Sequence, residues 1–104
     1  MNKMHRDILG KFEPLGSEET IILYGSVASG KARPYSDIDI AVISESRRAK
    51  EKADRIADKI LFDYGKVVSV QHMKPGYVST HMAYPFVRDV MGGKVIYGKG
   101  KFAK

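Results

Sequence analysis

The sequence predicts an α/β fold in which a small, twisted, mixed β-sheet is flanked by helices. Two observations predict this fold. Short apolar runs of strand length alternate with amphipathic segments of helical periodicity, and turn-forming glycines and prolines separate them. The chain has 104 residues, which is the length of one ordinary domain. We therefore expect residues 1–104 to form a single domain.

The elements of the first half follow from the spacing of apolar residues. Residues 2–12 are predicted to form a helix, residues 20–24 a strand and residues 37–43 a second strand. Between the two strands the sequence predicts a tight turn followed by a short helix. The first strand, the turn and the second strand therefore follow one another closely along the chain.

A long helix is predicted to follow the second strand. Ser44 or Ser46 can cap its start, and Gly65 stops it after about Tyr64. Its inward face is predicted from residues at helical spacing, namely Ala49, Ala53, Ile56, Ala57, Ile60, Leu61 and Tyr64. The remaining elements are predicted to be a strand over 66–72, a turn at 74–76, a short helix from Pro85 and a strand over 95–97.

The composition bounds the kinds of partner and the compartment. There are 18 Lys and Arg residues against 12 Asp and Glu, so the net charge of +6 favours phosphate-bearing partners such as nucleotides or RNA. The chain has no cysteine, which excludes disulfides and thiolate zinc sites. Neither a signal peptide nor an apolar run of about 18 residues is recognisable. We therefore expect a cytoplasmic protein without a membrane span.

Two carboxylates lie two residues apart in the second predicted strand. Side chains at i and i+2 of a strand point the same way, so Asp37 and Asp39 should share one face. Two negative charges about 4 Å apart repel by roughly 4 kcal/mol at an effective dielectric near 20, and a bound cation removes that cost. Mg²⁺ prefers carboxylate, water and phosphate oxygens as ligands. The pair therefore predicts a site for a metal-bound nucleotide.

Gly25 and Ser26 end the first predicted strand and begin the turn. The backbone N–H groups of such a turn, together with a Ser hydroxyl, can hold phosphate oxygens, and glycine lets a phosphate approach the backbone closely. The turn and the two carboxylates would together bind both ends of a metal triphosphate.

A rival motif overlaps this turn. Residues 25–31 read GSVASGK and match every position but the last of the P-loop pattern G-x-x-x-x-G-K-[ST]. Position 32 is Ala, so the hydroxyl that binds magnesium in a P-loop is missing. Pro34 would also break the long helix that a P-loop requires at this point. The P-loop interpretation is therefore rejected.

The same segment resembles the nucleotidyltransferase superfamily that includes DNA polymerase β, above all its minimal, antitoxin-type members. The pattern similar to theirs is G-S-x-A-x-G-x-A-x-x-x-S-D-x-D. It is matched by Gly25, Ser26, Ala28, Gly30, Ala32, Ser36, Asp37 and Asp39. Residues 85–87 and 93–98 also look like the closing helix and strand of these small proteins. The resemblance implies the nucleotidyltransferase fold over most of the chain.

The resemblance also implies a reaction and roles for particular residues. Asp37 and Asp39 would be catalytic ligands of Mg²⁺ or Mn²⁺. The implied reaction transfers a nucleoside monophosphate group from ATP or another nucleoside triphosphate to a hydroxyl. The residues expected at the nucleotide are Gly25, Ser26, Ser36 and Lys31. Small members of this family often work beside an all-helical partner of the HEPN type in toxin–antitoxin pairs, so that partner is a candidate acceptor.

Two departures from the family pattern leave an alternative open. Ser29 stands where many small members have Arg, and Lys31 or Arg33 can replace that cation. Active members also carry a third carboxylate on the strand after the long helix, but here Ser69 or Gln71 holds the matching position. The chain is therefore either a nucleotidyltransferase or a catalytically weak or inactive antitoxin or binding subunit that retains the fold.

Overall fold

The structure, a computed structural model, describes residues 2–16, 19–33 and 35–98. Within these ranges four strands form one mixed sheet with helices on both of its faces, which confirms the predicted fold class. The helices are α1 (Lys3–Gly10), α2 (Gly25–Ser29), α3 (Arg47–Tyr64), α4 (Pro75–Thr80) and α5 (Pro85–Met91). The strands are β1 (Thr20–Tyr24), β2 (Ile38–Ile43), β3 (Val68–Met73) and β4 (Lys94–Tyr97). A 3₁₀ turn over Glu13–Leu15 lies between α1 and β1.

The described strands lie in the order β3-β2-β1-β4. β1 is antiparallel to both of its neighbours, whereas β2 and β3 are parallel. A parallel pair needs a long crossover, and α3 provides it. β1 and β2 are the central strands, and β3 lies at one edge of the sheet. Of the predicted site residues, Asp39 lies in β2 and Gly25 directly follows β1, whereas Asp37, predicted to begin the second strand, lies just before β2.

Each face of the sheet is covered by its own hydrophobic cluster. On one face Leu23 and Ile40 pack with residues of α1 and α3. On the other face Ile22 and Ala41 pack with residues of α4 and α5. Every residue of β1 is buried, as expected for a strand that is covered on both sides.

The long helix is confirmed, with one correction to its inward face. Its cap is Ser46, whose hydroxyl accepts from the backbone N–H of Arg48 at 3.2 Å. Ser44 instead accepts from the N–H of Ser46 at 2.9 Å. The inward face was predicted too long, because Leu61 is 49% exposed and Tyr64 is 37% exposed. Ile60, in the same turn as Leu61, is buried, so Leu61 lies beside the inward face rather than on it. An 18-residue helix is about 27 Å long, whereas the six-residue strands beneath it span about 20 Å, which accounts for the exposure of Tyr64 at its end.

The predicted turn at residues 74–76 is wrong, because α4 begins at Pro75. Lys74 is extended, and proline is suited to the first helical position since its missing N–H would have no helical partner there. β3 is also shifted by one or two residues from the predicted range, to Val68–Met73. None of the helices in the described ranges has the length and apolar character needed to cross a membrane.

Candidate functional site

The Gly-Ser turn and the second carboxylate are in direct contact. β1 and β2 pair so that Tyr24 lies opposite Asp39, and Gly25 follows Tyr24 at the end of the strand. A Cβ atom added to Gly25 would lie 2.5 Å from Oδ2 of Asp39. Any side chain at position 25 would therefore displace this carboxylate.

The backbone at Gly25 starts a helix of a single turn. Gly25 has a φ of +75°, which favours glycine, and Gly30, the residue that caps the C-terminus of α2, has a φ of +77°. The N–H of Lys31 donates to the carbonyl oxygen of Ser26 at 2.9 Å. A P-loop requires a long helix here, and the five-residue helix α2 is too short for one. Pro34, which was also expected to exclude a P-loop, lies outside the described residues.

Asp37 and Asp39 form a concentration of negative charge. Asp37 is exposed just before β2, and Asp39 is half-buried within it. Neither carboxylate makes an ion pair with another described residue. Burial, and then repulsion by Asp37, raises the pKa of Asp39. Burial and the charge of Asp39 raise the pKa of the Tyr24 hydroxyl.

This donor set suits a hard divalent cation that shares its ligands with phosphate. Mg²⁺ is typically held by one or two carboxylates, with substrate phosphates and water completing the shell. In the described ranges no group of three or more His, Cys, Asp or Glu side chains could hold a metal by itself. Asp37 and Asp39 can therefore contribute to a metal–nucleotide site rather than to a metal cage made only of protein.

The position of the third family carboxylate is fixed by the register of β2 and β3. Asp39 pairs with Ser69, and Ala41 pairs with Gln71. Residues paired in neighbouring strands share a face, so Ser69 lies directly beside Asp39 and Gln71 lies one pleat further along. Of the two candidates from the sequence, Ser69 is the one adjacent to the carboxylates.

Ser36 has a structural partner in the loop before Asp37. Its hydroxyl accepts from the N–H of Arg33 at 2.8 Å, and its own N–H donates to the carbonyl oxygen of Arg33 at 2.9 Å. These two bonds close the loop that leads to Asp37. The hydroxyl keeps its proton free to donate to a phosphate.

A cleft of about 400 Å³ opens beside the Gly25 turn, between α2 and the segment that joins α5 to β4. Its lining is Tyr24, Gly25, Ala28, Ser29, Asp89, Gly92, Gly93 and Lys94. The cation on this lining is Lys94, whereas Lys31 is exposed and lies outside it. Sequence reasoning missed Lys94, because only the pairing of Leu23 with Lys94 brings β4 to this end of β1.

We expect protons to compete with metal at Asp39. Because its pKa is raised, the carboxylate takes up a proton at a less acidic pH than an ordinary Asp. The dissociation constant for Mn²⁺, followed by the EPR signal of the free ion, should rise as the pH is lowered from about 7 to about 4.5. The exposed control Asp58→Asn should keep this dependence. A Mn²⁺ affinity that does not change with pH would contradict a metal site at this carboxylate.

Comparison with known proteins identifies the family to which the chain belongs. The family model described as nucleotidyltransferase domain matches residues 3–84. A protein of Methanocaldococcus jannaschii named "Putative protein adenylyltransferase" is 33% identical over an alignment of 92 positions, which covers 82% of this chain and 62% of that protein. The chain thus spans less than two thirds of the length of this curated relative. A solved structure described as "Crystal structure of the toxin-antitoxin with AMP-PNP" has a similar fold, with a TM-score of 0.61, 21% identity and coverage of 93% of this chain and 79% of that one.

Proposed function

The chain belongs to the nucleotidyltransferase domain family, and from that premise we propose that it binds a magnesium nucleoside triphosphate and transfers the nucleoside monophosphate group to a hydroxyl. The observation that carries this proposal is the contact between the turn and the carboxylate. The Cβ position of Gly25 lies 2.5 Å from Oδ2 of Asp39, so a phosphate at the turn would also be within reach of the carboxylate pair.

In an in-line displacement, different residues of this site would bind the phosphates and the metal ion. The turn at Gly25 and Ser26 offers backbone N–H groups to the phosphates, with Lys94 across the cleft. A Mg²⁺ ion held by Asp37 and Asp39 would neutralise charge on the phosphates. The acceptor oxygen bonds to the α-phosphorus, its proton passes to solvent, and the bond to pyrophosphate breaks.

We further propose that the acceptor is a protein in the cytoplasm. Two observations support a protein acceptor, since the curated relative is named as a protein adenylyltransferase and the structural neighbour is a toxin–antitoxin protein. A small all-helical partner of the HEPN type is the first candidate.

Labelled ATP tests the reaction. The chain is incubated with Mg²⁺ and α-labelled ATP, with and without the helical partner and with RNA as a second acceptor. Label should appear on an acceptor from α-labelled ATP and not from γ-labelled ATP, because pyrophosphate is released. Label from γ-labelled ATP but not from α-labelled ATP would indicate phosphate transfer, and equal labelling from both would indicate bound ATP that has not reacted; either result would overturn the proposal.

A non-catalytic binding or antitoxin subunit is the second candidate function. It is favoured by Ser69, a poor metal ligand, at the position beside Asp39 where active family members carry an acid. In two-metal phosphoryl transfer, that ligand helps hold the metal that activates the attacking hydroxyl.

Restoring the missing acid should therefore raise activity. We expect Ser69→Asp to increase nucleotidyl transfer at least tenfold, or to tighten Mn²⁺ binding, because it adds a carboxylate next to Asp39. Gln71→Asp is the matched control, since it adds the same charge one pleat away beside Ala41. High transfer by the unmodified chain that persists in a Ser69→Ala, Gln71→Ala double variant would show that another acid serves instead.

A further inference from the structure

The outer edge of β3 lacks the features that usually protect an edge strand. Its six residues, VSVQHM, contain no proline and no Lys, Arg, Asp or Glu, and they pair with β2 without a bulge. β4, at the opposite edge, has four residues, begins with Lys94 and has an irregular register with β1. Charges, prolines and bulges are the usual means of preventing an edge from pairing with another chain. Within the described ranges no strand lies beyond β3, so this edge can accept one.

The hydrogen bonds of β2 show which groups of β3 point outward. The carbonyl oxygen of Met73 accepts from the N–H of Ser44 at 3.0 Å, so Met73 bonds towards β2. In a parallel pair every second residue bonds to the same neighbour. The odd-numbered residues of β3 therefore bond to β2, and the N–H and C=O groups of Val68, Val70 and His72 point away from the sheet.

The register of the sheet places this edge on the side from which an acceptor must approach. Gly25, the proposed phosphate turn, lies on the β1 side of Asp39, and Ser69 lies on the β3 side. The attacking and leaving oxygens lie roughly in line in phosphoryl transfer. If pyrophosphate leaves on the β1 side, the attacking hydroxyl arrives from the β3 side.

A groove of about 610 Å³ continues the same face between β3 and the helices α4 and α5. Gln71, Tyr77 and Phe86 are among its lining residues, and the two aromatic residues are 43% and 45% exposed. Phe86 contacts Tyr24 edge-to-face, with ring centroids 5.9 Å apart. The groove can therefore hold a side chain of a segment that lies along β3, close to the residue opposite Asp39.

We propose that the outer edge of β3 is the docking site for an extended segment of a polypeptide acceptor. The segment adds as a strand beside Val68, Val70 and His72, and one of its side chains enters the groove at Tyr77. Pairing through main-chain N–H and C=O groups selects a polypeptide over RNA. The proposal rests on the proposed function, because the added strand serves to bring a hydroxyl to the α-phosphorus.

The length of the acceptor side chain determines which peptide can serve as the probe. A strand added beyond β3 lies about 9 to 10 Å from β2, which is two strand spacings. A Ser side chain is too short to cross that distance, whereas a Tyr side chain can extend over Ser69 and bring its hydroxyl towards Asp39. The probe is a nine-residue peptide with Lys at both ends, alternating Thr and Val between them and one central Tyr. The same peptide with two prolines beside the Tyr is the unpaired control.

Two variants separate main-chain docking from side-chain packing. Val70→Pro removes an outward N–H and no hydrogen bond to β2, and prolines are tolerated at such edge positions. Val70→Ala removes much of the same side chain but keeps the N–H. With MgATP present, Val70→Ala should label the peptide within threefold of the unmodified chain, and Val70→Pro at least tenfold less. Binding of MgATP, measured by calorimetry, should be equal in all three proteins.

Amide resonances of the unmodified, ¹⁵N-labelled chain give an answer that does not depend on a variant. Titration with the probe peptide should shift and protect the amides of Val68, Val70 and His72, and the proline control should not. Unchanged amides at these residues, equal peptide labelling by Val70→Pro and Val70→Ala, or label on an RNA oligonucleotide but not on the peptide would each overturn the docking site. If the unmodified chain does not bind MgATP, the proposed function is overturned instead.

Discussion

Gly25→Ala should reduce the affinity for MgATP more than tenfold, whereas Gly30→Ala should leave it within about threefold. Both glycines have a positive φ, so both variants carry a similar backbone cost of about 1 to 2 kcal/mol. They differ in what the new Cβ meets. At Gly25 it would lie 2.5 Å from Oδ2 of Asp39, and at Gly30 it meets nothing within 4 Å. The first variant must therefore move a carboxylate of the proposed metal site.

Calorimetric titration with ATP, in the presence and absence of Mg²⁺, measures this difference directly. A thermal melt of each metal-free variant controls for folding, and the two melting temperatures should fall by similar amounts. If Gly25→Ala and Gly30→Ala bind MgATP equally well, the Gly25 turn is not the phosphate site.

Replacing both carboxylates should have opposite effects on stability and on binding. A group whose pKa is raised on folding contributes stability below its unfolded pKa, and this contribution is lost as the pH rises through its folded pKa. Asp39 is such a group, so at neutral pH its charge lowers the free energy of unfolding of the metal-free protein. Asp37→Asn with Asp39→Asn should therefore leave the metal-free melting temperature unchanged or raise it.

Saturating MgATP should reverse that ranking. A ligand that binds only the folded state stabilises it by about 2.7 kcal/mol at a hundredfold excess over its Kd. For a domain of this size that corresponds to a rise of roughly 10 °C or more in melting temperature. The rise should occur in the unmodified chain and be absent in the double variant.

A second double variant controls for the loss of two negative charges. Glu51→Gln with Asp58→Asn changes the net charge equally on the exposed face of α3, far along the chain from the turn. It should keep the full thermal response to MgATP. Strong destabilisation of the metal-free Asp37→Asn, Asp39→Asn protein would mean that the carboxylates have structural partners, and the metal site would lose its main physical support.

The sequence was sufficient for the parts of the fold that local patterns determine. The stop of the long helix at Gly65 and the proximity of Gly25 to Asp39 both follow from short segments with strong signals, whereas the choice of Ser46 over Ser44 as the cap needed the structure. Lys94 could not be found in this way, because it reaches the cleft only through the pairing of the last strand with the first. Nor could the choice between Ser69 and Gln71 be made without the register of β2 and β3.

The exposure of Tyr64 at the end of α3 could not be predicted either. Helical spacing places Tyr64 on the inward side of the helix, but the spacing carries no information on where the sheet beneath the helix ends. Periodicity identifies the inward side of a helix, and the lengths of the neighbouring strands decide how much of that side is covered.

The antiparallel pairing of β1 with β2 has a consequence for the order of folding. Because Tyr24 pairs with Asp39, closing one hairpin over residues 25–38 brings the turn and the carboxylates together through contacts that are close in sequence. β3 joins only after the crossover through α3, and β4 joins β1 from the far end of the chain. Local contacts form at a lower entropic cost than distant ones. We expect the kinetic φ-values of mutations in this hairpin to exceed those of mutations in β3, so that the turn and the carboxylates come together before the edge at which we propose that the acceptor docks.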